Sequence, residues 1–177
     1  MPLQGEDLST AEARATEALL RARAQRYAGA ERVERTVVST VITFLRGTSR
    51  YAIALTDLCE IRALSTFCAL PGADRAVPGV VHYRGELLSV VDLTALTTEQ
   101  TPTANARWVL VSEHAGERLG LMADEVLDVL DLEVASVHAL PLTLGAVGEL
   151  FRGATAEGVL VVDAPHLFRA PQAMQLP

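Results

Sequence analysis

Lysine is absent from this chain: all 15 basic residues are arginine, against 22 acidic residues, for a formal net charge of −7. The missing lysine reads as genome composition rather than mechanism. The acidic balance counts against non-specific nucleic-acid binding, whose affinity comes mostly from neutralising phosphates. Cysteine is scarce. Cys59 and Cys68 are the only two, too few for a disulfide framework or a zinc site built on paired cysteines. No apolar run approaches the ~18 residues needed to cross a bilayer. The start of the chain lacks a signal peptide's basic end and apolar centre, since Gln4, Glu6 and Asp7 stand there. A cytoplasmic protein without direct membrane insertion is expected.

Catalytic signatures are missing too. Gly145 and Gly148 are a bare pair, without the further glycines and lysine of a phosphate-cradling loop. His82, His114, His138 and His166 occur singly, with no i, i+4 pair to place two metal ligands on one helix face. Cys59 or Cys68 could act as a nucleophile with His82 as its base, but a free cysteine more often serves as a small apolar residue. Asp124, Glu125, Asp128 and Asp131 are interleaved with Leu127, Val129, Leu130 and Leu132, which fits a solvated face opposite a buried one. No enzyme, cofactor or metal is expected; a cysteine- or carboxylate-dependent hydrolase is the remote alternative.

What the chain does contain is 177 residues, half of them apolar, enough for one domain or two small barrels sharing a core. Its first 35 residues form a separate extension. Ser9 and Glu12 have capping-box spacing, alanine recurs to Ala28, and Gly29 follows, predicting a helix over Thr10–Ala28. Its mostly alanine stripe would bury little area.

From residue 36 to 177 the texture is β. Val37–Leu45 and the alternation through Tyr51, Ile53 and Leu55 read as a hairpin with a five-residue loop, Arg46 to Arg50. Val80–Tyr83 and Leu87–Val91 form a second hairpin through Arg84-Gly85-Glu86. Trp108–Ser112 and Arg118–Met122 form a third. Val159–Val162 pairs with a segment ending near Gly153, Val126–Leu132 fits a short helix about as well as a strand and is read as a strand, and Thr97–Asn105 reads as an exposed loop. No internal repeat is evident. Short strands with glycine at the turns indicate barrels or a sandwich.

The tract Pro78-Gly79-Val80-Val81-His82-Tyr83-Arg84-Gly85-Glu86-Leu87-Leu88-Ser89-Val90-Val91-Asp92-Leu93 carries a guanidinium at its turn. That group can brace the hairpin or contact a partner. The tract resembles the signature of the CheW-like domain of chemotaxis, Gly-Val-x-x-x-Arg-Gly-x-x-x-Pro-Val-x-Asp-Leu. Gly79, Val80, Arg84, Gly85, Val90, Asp92 and Leu93 match it, while Ser89 replaces the proline and His82-Tyr83 replaces Asn-Leu. Four other segments follow in family order: Phe44 to Leu55, Leu58-Cys59-Glu60-Ile61, Gly120 to Val126, and Phe151-Arg152-Gly153 with Leu160 to Asp163. The resemblance spans about Thr36 to Phe168.

The resemblance implies a mainly β fold of two five-stranded SH3-like barrels packed side by side. It also implies a non-enzymatic scaffold that couples methyl-accepting chemoreceptors to a CheA-like histidine kinase. Partners would be the kinase's regulatory domain, the receptor's cytoplasmic tip and other CheW-like proteins. Carried over by position, the partner-contact candidates are Leu58, Glu60, Arg84, Leu87, Val126, Val129 and Gly153. Leu58, Val126 and Val129 fit core positions equally well, Gly153 fits a turn requirement, and Asp92 is better placed as a local hydrogen-bond acceptor. A scaffold that binds a kinase or another CheW-like protein without engaging receptors is the alternative.

Overall fold

The computed structural model describes residues 38–97 and 106–170. The helix read over Thr10–Ala28, the extension to residue 35, and all but Thr97 of the loop to Asn105 lie outside the described residues.

Eleven strands among the described residues form two sheets. The first hairpin joins β1 (Val38–Arg46) to β2 (Ser49–Ala54). Its turn is Gly47-Thr48, not the five residues expected, because Arg46 pairs with Ser49 and Leu45 with Arg50. β3 (Leu58–Ala63) and the three-residue β4 (Phe67–Ala69), which the sequence did not suggest, follow. The second hairpin, β5 (Gly79–Tyr83) and β6 (Glu86–Val91), also has a two-residue turn, since Glu86 pairs with Tyr83. A short helix, α1 (Leu93–Thr97), comes next, then β7 (Trp108–His114), β8 (Glu117–Ala123) and β9 (Glu125–Glu133). β10 (Phe151–Ala154), β11 (Leu160–Val162) and α2 (Ala164–Arg169) complete the described chain.

The five-stranded sheet runs β10-β11-β2-β1-β9 and the six-stranded sheet β3-β7-β8-β6-β5-β4. In both, a hairpin lies parallel to the next: β11 beside β2, and β6 beside β8. In both, the third strand is exchanged. β3 leaves the first hairpin to pair with β7, and β9 leaves the third hairpin to pair with β1. The two halves therefore share one topology although their sequences are not repeats. Each sheet also ends a strand in Val-Val-Asp and starts a helix: Val90-Val91-Asp92 before α1, Val161-Val162-Asp163 before α2. Asp92 accepts from the amide and hydroxyl of Thr94, and Asp163 from the amide of His166, capping the orphan donors of a helix start.

Strand alternation distributes the apolar side chains among three clusters. On β1, Ile42 and Phe44 face the largest, which lies between the sheets with Tyr51, Ile53, Leu110, Leu121, Phe151, Leu167 and Phe168. Phe44, Tyr51 and Phe151 stack there with ring centroids 5.5 and 6.1 Å apart. Val41, on the opposite face, joins Ala52 and Val161 in a small cluster inside the five-stranded sheet. Val81, Tyr83, Leu88, Val90, Val109, Val111 and Met122 fill the curl of the six-stranded one. The five-stranded sheet is drawn closed where His138, just after β9, exchanges two backbone hydrogen bonds of 2.9 Å with Ala154 of β10.

Candidate docking surfaces

The turn between β5 and β6 is formed by Arg84 at φ 49° and Gly85 at φ 92°, as a twist-matched two-residue hairpin requires. Asparagine or glycine suits the first position. An arginine there holds a left-handed backbone at a cost of roughly 1 kcal/mol or more. Its guanidinium lies 5.1 Å from the centroid of the Tyr83 ring and donates to Glu60 Oε2 at 3.0 Å. The Tyr83 hydroxyl donates to the same oxygen at 3.1 Å, while its ring is buried in the second barrel. Glu60 reaches this rim through a bulge: the register of β3 against β7 slips between Leu58 and Glu60, leaving Cys59 as the extra residue. The slip turns Leu58 and Ile61 both toward the central core and aims Glu60 at Tyr83 and Arg84.

Partial desolvation pulls the Glu60 carboxyl upward, but the Tyr83 hydroxyl, Arg84 and Arg62 outweigh it. Its pKa therefore lies below the ordinary carboxylate value. Arg62 stands over the Tyr83 ring at 5.6 Å, so two cations share one ring. Leu87, three residues past Arg84, pairs with His82 and is 66% exposed. Glu60, Arg84 and Leu87 thus belong to one end of the six-stranded sheet, and they offer a charged pair beside an uncovered leucine.

The other candidates lie elsewhere. Val126 and Val129 are on β9, opposite Phe44 and Ile42 of β1, and so on the face toward the central core. Val126 packs against that core, as Leu58 does, whereas Val129 is 58% exposed. β9 pairs only with β1 among the described residues. A bulge at Leu127 and Asp128 is bridged by Thr43, whose hydroxyl donates to the Asp128 carbonyl at 3.1 Å. Leu127, Leu130 and Leu132 face the other way, into a recess of about 260 Å³ in the first barrel.

Gly153 sits on β10, apart from both groups. Its φ is +152°, and a Cβ there would lie 2.3 Å from the His138 carbonyl oxygen and 2.8 Å from Val137 Cγ1. The closure of the first barrel needs glycine at this position, whatever a partner requires.

The thiols do not form a catalytic pair with His82. Cys59 donates to Glu113 Oε2 at 3.6 Å and Cys68 to the Ala69 carbonyl at 3.9 Å. Burial and then Glu113 push the Cys59 thiol above its ordinary pKa, the reverse of nucleophile activation. Among the described residues, no group of three or more His, Cys, Asp or Glu could hold a metal, and no helix is long and apolar enough to cross a membrane.

Sequence reasoning missed Arg46, which it left in the five-residue loop of the first hairpin. Arg46 is 1% exposed. Its Nε donates to Asp92 Oδ2 at 3.1 Å, its Nη2 contacts the same carboxylate, and its Nη1 donates to Asp124 Oδ1 at 2.6 Å. Asp124 also accepts from the Gly47 amide at 2.8 Å. Burial opposes the charge, yet the bonds to Asp92 and Asp124 outweigh it and raise the guanidinium pKa. Asp92 is fully buried. Removing the cation would strand that carboxylate, a loss of about 3–5 kcal/mol for a buried pair.

The geometry can be set beside known proteins. The sequence profile described as "CheW-like domain" matches residues 40–172. Protein PilI of Pseudomonas aeruginosa is 31% identical over 134 residues, 75% of this chain and 73% of that one. Chemotaxis protein CheW of Rhizobium meliloti is 26% identical over 124 residues, 70% of this chain and 77% of that one. Among solved structures, the scaffolding protein TtCheW of Thermoanaerobacter tengcongensis superimposes with a TM-score of 0.59 at 16% identity, covering 72% of this chain and 86% of that one. The two curled sheets match that fold of two SH3-like barrels, and the second has six strands, β4 included, where five were expected. A profile spanning most of the chain, an exchanged-strand topology and the Arg84 turn all agree: this chain belongs to the CheW-like family of chemotaxis scaffold proteins.

Proposed function

We propose that this chain is a non-enzymatic adaptor of a chemotaxis-like array, docking a CheA-type histidine kinase and a chemoreceptor tip in the cytoplasm. The observation that carries the reading is Arg84. A non-glycine residue is kept at a strained turn position and aimed, with Glu60, at an exposed rim beside Leu87. Strain of this kind persists where surrounding structure or function demands it. The exposed ion pair contributes little to folding, so its value lies at the surface. Val129, on the exchanged strand β9, offers a second, apolar contact for a helical partner.

The test is calorimetric titration with a CheA-type regulatory domain and with a receptor-tip fragment. Arg84→Ala is expected to fold normally and to bind one of the two at least about 10-fold more weakly, equal to about 1.4 kcal/mol. Parental affinity of this variant for both fragments would overturn the role of Arg84. A second reading is an adaptor that binds a kinase or another CheW-like protein without engaging receptors. Kinase binding with no measurable affinity for the receptor tip would select it.

A further inference from the structure

The two candidate patches lie on different sheets. Glu60, Arg84 and Leu87 belong to the six-stranded sheet, whereas Val126 and Val129 belong to the five-stranded one. The exchanged topology places the tip of one hairpin from each sheet against the strand-to-helix junction of the other. His114, the last residue of β7, packs against Phe168 of α2 with ring centroids 5.8 Å apart and the planes tilted by 36°. Arg46, the last residue of β1, reaches Asp92 just before α1 and Asp124 just after β8. His114 and Arg46 hold matching places, each directly preceding a two-residue turn, but the contacts differ in kind. One is a tilted contact between two rings. The other is a buried cation from the five-stranded sheet, gripped by two carboxylates at the ends of strands in the six-stranded sheet.

The placement of those carboxylates matters. Asp92 closes β6, whose opposite end carries Glu86 and Leu87 next to the Arg84 turn. Asp124 immediately precedes β9, the strand of Val126 and Val129, and its amide donates to the Leu45 carbonyl at 2.8 Å. One guanidinium therefore ties the root of one patch to the root of the other. Apolar contacts across the central core are non-directional and leave sliding soft. A planar fork with fixed donor directions does not, and lysine, a point charge on a flexible stem, cannot grip both carboxylates in that way.

We propose that Arg46 is a positioning residue that fixes the two docking patches relative to one another, so that partners on the two sheets are presented in one register. The proposal rests on the docking reading of those patches, but it is tested without any partner, so the two can fail separately.

The experiment places nitroxide labels at Leu87→Cys and Val129→Cys in the full chain carrying Cys59→Ser and Cys68→Ser, and measures the distance distribution by pulsed electron resonance. A second pair, Arg50→Cys with Val129→Cys, lies within the five-stranded sheet and serves as the control. Arg46→Lys keeps the charge, and Asp124→Ala cuts one arm at a residue that is 28% exposed while leaving Arg46 on Asp92, so the fold survives. A single narrow distance is expected for the parent. Between the sheets, the distribution should at least double in width or shift in both variants, while the control pair keeps its parental width. An unchanged between-sheet distribution in Asp124→Ala and Arg46→Lys would overturn the proposal. Equal broadening of the control pair would overturn it too, because that marks general loosening rather than lost positioning.

Discussion

Gly153 separates a structural requirement from a docking role, because both accounts predict that its substitution is harmful, for different reasons. Alanine at 153 puts a Cβ 2.3 Å from the His138 carbonyl oxygen and 2.8 Å from Val137 Cγ1, on a backbone at φ +152°. The carbonyl cannot retreat freely, since it accepts from the Ala154 amide at 2.9 Å while the His138 amide donates to Ala154 at the same distance. Backbone strain at such an angle costs about 1–3 kcal/mol, and a bent or broken bridge bond adds about 0.5–1.5 kcal/mol. Together the loss is about 2–4 kcal/mol, a large part of the ~5–15 kcal/mol that holds a domain of this size. Urea unfolding followed by circular dichroism measures it, and the melting temperature should drop by roughly 10 °C. Gly85→Ala is the comparison: φ is +92° but no atom lies within 4 Å of the added carbon, so strain alone applies, at about 1 kcal/mol. A Gly153→Ala protein that unfolds with the parent yet no longer binds a kinase or receptor fragment would refute the structural account and return Gly153 to the contact surface.

The Arg84 turn gives two further expectations. Arg84→Gly relieves the left-handed backbone at φ 49° while removing an exposed ion pair and an exposed cation over the Tyr83 ring. Its urea midpoint should equal or slightly exceed the parent's, by up to about 0.5 kcal/mol in stability; a clear loss of stability would show that Arg84 is retained for the fold. The second concerns pH. Glu60 titrates below the ordinary carboxylate value in the folded state, so its contribution is present above the unfolded glutamate range and is lost as pH falls through the folded value. Because Arg84 is among the groups holding that carboxyl down, Arg84→Ala should move the Glu60 midpoint upward in a carboxyl-carbon NMR titration. An unmoved midpoint would mean that the pair does not form in solution.

Much of the fold was legible because strand alternation and turn residues are local signals. The three hairpins, the strand at β9 and the closing hairpin of β10 and β11 were placed from β-branched runs and glycines, and the ordered motifs supplied the family. What failed depends on distant partners. Arg46 was assigned to a loop because Arg46–Arg50 lies between two strand-like runs and suits a hairpin turn; its burial rests on Asp92 and Asp124, 46 and 78 residues away. β4 was missed because three residues, Phe67 to Ala69, carry too little periodicity and exist as a strand only by pairing with β5. The duplicated topology was invisible because its third strands are exchanged, so the halves match in space and not in continuous sequence. Among the candidate contacts, Glu60 and Arg84 are joined as a pair 24 residues apart, a link that no spacing rule supplies.

The same split between local and distant causes bears on why the surface residues are where they are. Within the isolated domain, Arg84 at positive φ, Leu87 at 66% exposure and Val129 at 58% exposure each run against local preference, while the barrels beneath them are consistently patterned. Natural sequences break local rules mainly where function compensates. Burying a leucine or a valine side chain in a partner gains about 1.5–3 kcal/mol each, so covering Leu87 and Val129 could offset the strain of one arginine turn several times over. That gain reaches a two-partner assembly only if both patches meet their partners together. A frame held by non-directional apolar contact alone would let the sheets slide and would spend part of it on ordering. A buried guanidinium at the junction removes that freedom before any partner arrives, which is why the buried Arg46 belongs to the same account as the exposed Arg84.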